Sequence, residues 1–146
     1  MREGIQSLFA ELGEGACFAL SICEMGKPGI SEEEALGLIL KGIQKGYIDY
    51  DENNRDNPKN FFVENRDAFM DIVSGEKGWK SSSENPRYRS KENERIIECW
   101  RWNEKRGNKE IAHCHFKLKN WDPYKNSETL KYGYLESLRV FRRKGA

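Results

Sequence analysis

Long apolar runs are missing from this chain of 146 residues, and so is any surplus of charge of one sign. No stretch approaches the roughly 20 consecutive apolar residues that a helix needs to span a bilayer, so no membrane segment is expected. The opening residues Met1-Arg2-Glu3-Gly4 are polar and lack the apolar core of a secretory leader, which points to a cytoplasmic protein. The 25 Lys and Arg residues stand against 24 Asp and Glu, a formal charge of +1. A dedicated nucleic-acid or membrane-surface binder is usually plainly basic, so neither partner is expected. Cysteine is sparse: Cys17, Cys23, Cys99 and Cys114 contain no C-x-x-C pair, which removes the spacing signature of a structural zinc site. In a reducing compartment they need not form disulfides. Only two histidines exist, His113 and His115. Nothing calls for a cofactor, no internal repeat is visible, and the length fits one domain over residues 1–146.

The apolar pattern changes period midway. Ile5, Leu8, Phe9 and Leu12 recur at helical spacing, giving a short amphipathic helix over residues 2–12. Gly13-Glu14-Gly15 ends it. From Cys17 to Met25 apolar residues fall on all sides, the mark of a buried helix. Ser31-Glu32-Glu33-Glu34 reads as a capping box for a helix that carries Ala35, Leu36, Ile39, Leu40 and Ile43 inward and stops at Gly46. Residues 47–57 read as a polar connection. Asn57-Pro58 supplies an N-cap and a proline at the first helical position for a helix holding Phe62, Phe69, Ile72 and Val73 and closing at Gly75. Residues 76–94 read mostly as loop. Beyond Arg95 the chain turns β-prone: 96–102, a turn at 104–108, 111–118, and a last strand over 134–141. Helices first and an antiparallel sheet afterwards define an α+β class.

The chemistry concentrates in two places. Cys17 follows a Gly-rich loop and opens a helix. The positive end of a helix and a neighbouring imidazolium are the two devices that favour a thiolate, the nucleophilic form of cysteine. The loop amides can also serve as an oxyanion hole. Against this stands the commoner fate of cysteine, a small buried hydrophobe, and Cys23 in mid-helix fits that role. His113 and His115 share one face of a strand, so either can point into one cleft. Asp122, in the Asp-Pro turn that follows, is placed to orient an imidazole and fix its tautomer, or simply to open the turn. Six residues separate His115 from Asp122, too far along an unbroken strand, so the chain must turn near Lys119-Asn120 for the groups to meet.

Gly15-x-Cys17-Phe18-x-x-Ser21, His115-Phe116 and Trp121-Asp122-Pro123-Tyr124-x-x-Ser127-x-Thr129 resemble a largely uncharacterised family of small phage, prophage and spirochaete proteins. That family is similar to the papain-like cysteine peptidases that process double-glycine bacteriocin leaders. Residues 30–48 and the ending Leu130-x-Tyr132-Gly133 through Arg139-Val140-Phe141 carry the resemblance further. It implies a papain-like fold with Cys17 as nucleophile, His115 as general base and Asp122 as orienter, acting on a peptide or isopeptide bond. The leader peptidases carry a glutamine about six residues before the nucleophile; here that position is Glu11, a poor oxyanion donor. The departure leaves a second expectation open, a catalytically inactive relative that binds and modulates a host or phage protein.

Other constellations fail on spacing. Asp49-x-Asp51-x-Asn53 opens like a calcium loop, but Asn54 and Asn60 stand where glycine and the bidentate glutamate belong. Cys99, His113, Cys114 and His115 are good zinc ligands by type, yet on a strand Cys114 points away from both histidines. Trp100-Arg101-Trp102 with Lys105-Arg106 suits base stacking in principle, and near-neutral charge favours a solvated hairpin with aromatics on one side.

Overall fold

The computed structural model describes residues 15–51, 61–124 and 127–143. The expected helix over 2–12, Glu11 and the Asn57-Pro58 helix start lie outside them. The described chain is α+β. Helix α1 (Gly15–Gly26) and helix α2 (Glu32–Gln44) come first, then a two-stranded ribbon of β1 (Ile48–Tyr50) and β2 (Phe61–Val63). Helix α3 (Arg66–Ser74) leads into β3 (Trp79–Glu84), β4 (Arg95–Arg106), β5 (Lys109–Lys117), the short helix α4 (Glu128–Tyr132) and β6 (Tyr134–Arg143). The larger sheet is antiparallel with strand order β3-β6-β4-β5.

Local chemistry explains most of the boundaries. Ser31 caps α2, its hydroxyl accepting the Glu34 amide at 3.1 Å. The other half of the capping box is not used, because the Glu34 carboxylate pairs with Lys27. Ala35 and Ile39 turn into the core as expected, but Leu40 faces solvent, 52% exposed. Asn65, rather than Asn57, caps α3 by accepting the Ala68 amide at 3.1 Å. Left-handed Gly75 ends that helix. Phe62, expected on α3, belongs to β2 and points outward.

Two strands correct the expected loops. Residues 48–50 pair with 61–63 where a polar connection was expected, and Trp79–Glu84 forms edge strand β3 inside the expected loop. The run Lys-Ser-Ser-Ser carries no hydrophobic alternation; its strand character comes from pairing with β6 and from Trp79, buried at its start. The hairpin turn is tighter than expected, with β4 reaching Arg106 and β5 starting at Lys109, so that Gly107 (φ 60°) and Asn108 alone connect them.

The core lies between α1, α2, α3 and one face of the sheet. Phe61, Phe69, Phe141, Leu20, Ile22, Ile39, Met70 and Ile97 are buried there. Truncating one of the phenylalanines to alanine costs about 3–5 kcal/mol in such a setting. Gly42 lets α2 come close: an added Cβ would lie 3.0 Å from Ile48 and 3.1 Å from Phe69. At the far end of the sheet Glu94 accepts the Lys91 amide, the Tyr88 hydroxyl and the Arg142 guanidinium, which hold its carboxyl down at about 2 and tie the segment after β3 to β6.

Strand β5 is a sheet edge, and α1 covers it. The Phe116 amide donates to Cys17 Sγ at 3.2 Å, and the Phe116 carbonyl accepts from Ser21 Oγ at 3.3 Å. In an antiparallel strand the N–H and C=O of one residue point the same way, here outward. Cys17 and Ser21, four apart and thus on one helix face, take the place of a further strand. Phe18 and Phe116 pack ring on ring with centroids 4.5 Å apart. At its other end α1 is fastened by Arg95, whose guanidinium donates to the Met25 carbonyl at 2.7 Å.

Candidate thiol, imidazole and carboxylate site

The residues expected to act together come from three elements. Cys17 lies in the first turn of α1, inside a run (Ala16, Ala19, Leu20, Ser21, Ile22, Cys23) that is fully buried; Cys17 itself is 0% exposed. His115 lies near the end of β5 and is 4% exposed. Asp122 lies just past a reversal of the chain. Leu118 and Trp121 bridge one another, the Leu118 amide donating to the Trp121 carbonyl at 2.9 Å, so the turn falls at Lys119-Asn120. That reversal brings Asp122 back to the strand.

His115 Nε2 lies 2.8 Å from Asp122 Oδ1. The same oxygen accepts the Tyr124 amide at 2.9 Å, an Asx turn with buried Pro123 at its centre. The carboxylate is therefore aimed by its own turn before it meets the imidazole. On the other side of His115 the next residue's amide points at Cys17 Sγ. An N–H aimed at sulfur is a donor of the kind that stabilises negative charge there. The thiol and the His–Asp pair are thus both held at one strand end, on adjacent residues.

Tyr124 completes the surroundings. Its ring centroid is 6.0 Å from that of His115. Burial first, then the nearness of Cys17 and Asp122, push its phenol well above the ordinary range, so it stays an O–H donor. Tyr124 entered the sequence reading only as part of a motif. A tyrosine directly after an Asp-Pro pair is the signal that marks it. Ser21 was visible in the same way, one helical turn beyond Cys17.

The remaining candidates separate. His113, on the same strand face as His115, stacks on Trp102 with centroids 5.1 Å apart and sits 3.4 Å from Glu104 Oε2, while Asp122 engages His115. Cys99 lies on the opposite face of the sheet, paired with Phe116, with Cys114 diagonal to it. A hydrogen bond with Cys114, followed by burial, raises the Cys99 thiol. Cys23 is raised by burial, then by Glu24 and Glu34. Among the described residues no cluster of three His, Cys, Asp or Glu is arranged to hold a metal ion, and no helix is long and apolar enough to cross a membrane.

The described chain is an α+β protein in which a buried thiol meets the backbone amide of Phe116, the residue next to a carboxylate-paired histidine. No protein-family model, curated protein or solved structure matches the chain.

Proposed function

We propose that this protein is a cysteine hydrolase of papain-like fold that cleaves a peptide or isopeptide bond with Cys17, His115 and Asp122. The observation that carries the reading is the 2.8 Å contact of His115 Nε2 with Asp122, made on the residue next to the one whose amide meets Cys17 Sγ. With Nε2 engaged, Nδ1 is the nitrogen left to exchange a proton. Cys17 gives its proton to Nδ1 and attacks the carbonyl. The tetrahedral adduct collapses to a thioester as His115 returns the proton to the leaving amine. Water, deprotonated by His115, then releases the acid and restores the thiol. Asp122 holds the ring and offsets its charge while it is protonated. The resemblance to the phage, prophage and spirochaete family supports the same assignment.

One observation favours a second reading. Cys17 is wholly buried and its sulfur takes part in covering the β5 edge, a structural employment that suits an inactive relative binding a host or phage protein. Alkylation separates the two. Iodoacetamide labelling of each cysteine, followed by peptide mass spectrometry on wild type and on His115→Ala, should show Cys17 reacting faster than Cys23, Cys99 and Cys114 and slowing in the variant. Slow labelling at all four positions, unchanged by the substitution, overturns the hydrolase and directs effort to a partner.

A further inference from the structure

Most arginines of the larger sheet have a carboxylate: Arg101 pairs with Glu136, Arg142 with Glu94 and Arg143 with Glu76. Arg139 does not. Its side chain is half-buried on the helix-facing side of β6, donating to Ser137 Oγ at 2.8 Å and lying over the Phe116 ring at 5.6 Å. Phe116 is the residue whose amide meets Cys17. A ring face offsets a cation only in part, and partial burial without a counter-ion is costly.

A second guanidinium approaches the same ground. Arg66, the first residue of α3, donates from Nε to Ser81 Oγ at 2.6 Å. Ser81 pairs with Phe141 and Ser83 with Arg139, so Ser81 is diagonal to Arg139 on one face of the sheet. Burial lowers the Arg66 pKa, and the Arg139 charge lowers it further, while Asp67 works the other way. Asp67 also accepts the Ser81 hydroxyl. One carboxylate thus faces two cations in this half-buried patch. Like charges held together with a deficit of anion, beside the ring of the residue whose amide meets the thiol, are the features of a seat for an incoming carboxylate.

We propose that Arg66 and Arg139 form a carboxylate-binding subsite of this protein on the helix-facing side of the sheet, taking an acidic side chain of the peptide substrate several residues away from the bond presented to Cys17. The subsite rests on the hydrolase reading for its role and on its own geometry for its existence. Arg139 contributes a planar fork over Phe116, and Arg66 a second fork from the helix side. A neutral residue at that place in the peptide would leave one of the two charges uncompensated.

The test uses acetyl-triglutamate amide and acetyl-triglutamine amide as probes. Calorimetric titration into the full chain should show binding of the glutamate peptide, weakening as salt rises, and at least tenfold weaker binding of the glutamine peptide. Arg139→Gln and Arg66→Gln should each remove most of that preference, while Arg139→Lys restores part of it. Saturating glutamate peptide should also slow iodoacetamide labelling of Cys17. Equal affinity for both peptides, or a preference untouched by either glutamine variant, overturns the subsite. Binding that leaves Cys17 labelling unchanged overturns its place on the path of a peptide to the thiol. A Cys17 that labels slowly even without peptide overturns the hydrolase, and the titration still judges the two arginines.

Discussion

His115 Nε2 meets Asp122 Oδ1 at 2.8 Å on an oxygen already aimed by the Tyr124 amide. The carboxylate is preset by a local turn, so the imidazole pays little of the ordering. Asparagine in its place keeps an oxygen for both bonds, whereas alanine keeps neither. Asp122→Asn should therefore hold Cys17 alkylation within about tenfold of wild type, and Asp122→Ala should slow it by roughly a hundredfold. Nitrogen-15 NMR of the ring should show the proton on Nε2 in wild type and a mixture of tautomers in the alanine variant. Equal rates in the two variants would remove Asp122 from the site.

The covering of the β5 edge predicts a stability effect that owes nothing to catalysis. Ser21→Ala leaves the Phe116 carbonyl without its hydroxyl, and Cys17→Ala leaves the amide without its sulfur. Each loss should cost about 1 kcal/mol in urea denaturation. Because both bonds join one strand residue to one helix face, the double variant should depart from additivity. Strict additivity would show that helix and edge are not held as a unit.

Gly133 is where two backbones come too close for any side chain. A Cβ there would lie 2.2 Å from the Arg101 carbonyl oxygen and 2.4 Å from that of Thr129. These are main-chain atoms of β4 and α4, which have no rotamer to change. Gly133→Ala should cost about 3 kcal/mol or more and loosen α4 from the sheet. A variant within 1 kcal/mol of wild type, roughly, would mean that the α4–β6 junction moves aside easily.

Alkaline pH should unfold the protein earlier than its ion pairs alone would. Burial holds the Cys23 thiol neutral in the folded chain, with its pKa above the ordinary 9.0. The stability linked to a raised pKa is fully present below the unfolded value and is lost as pH rises above it. Once the unfolded chain releases that proton, stability falls by about 1.4 kcal/mol per pH unit for each such thiol. Cys99 is raised as well and adds to the slope. Denaturation from pH 8 to 11 should show the decline, and Cys23→Ala should lessen it. A flat profile would contradict the buried thiols.

Patterns confined to neighbouring residues were legible. The all-round apolar run after Cys17, the Ser31 cap and the alternation along β5 each follow from chemistry within a few positions, and each stands where expected. The expected turn at Lys119-Asn120 is there because geometry left no other route from His115 to Asp122. Strands β1 and β3 were not legible. Asp49 and the serines of β3 carry no alternation, and their extended form comes from partners far along the chain, 61–63 and 138–143. Helix α4 escaped notice because five residues hold too little period to recognise.

By itself the sequence determined the α+β class, the buried helix opening at Cys17, and the two candidate segments, because helix and strand periods and capping chemistry are written in adjacent residues. Only the tertiary structure decided which histidine meets Asp122. His113 and His115 share a strand face, and the choice fell to where the chain reverses and to Trp102 and Glu104, which receive His113 instead. It also decided that Cys17 and Ser21 cover a sheet edge and that Arg66 and Arg139 share one face. Those relationships join residues separated by dozens of positions, and no local pattern encodes the packing that brings them together.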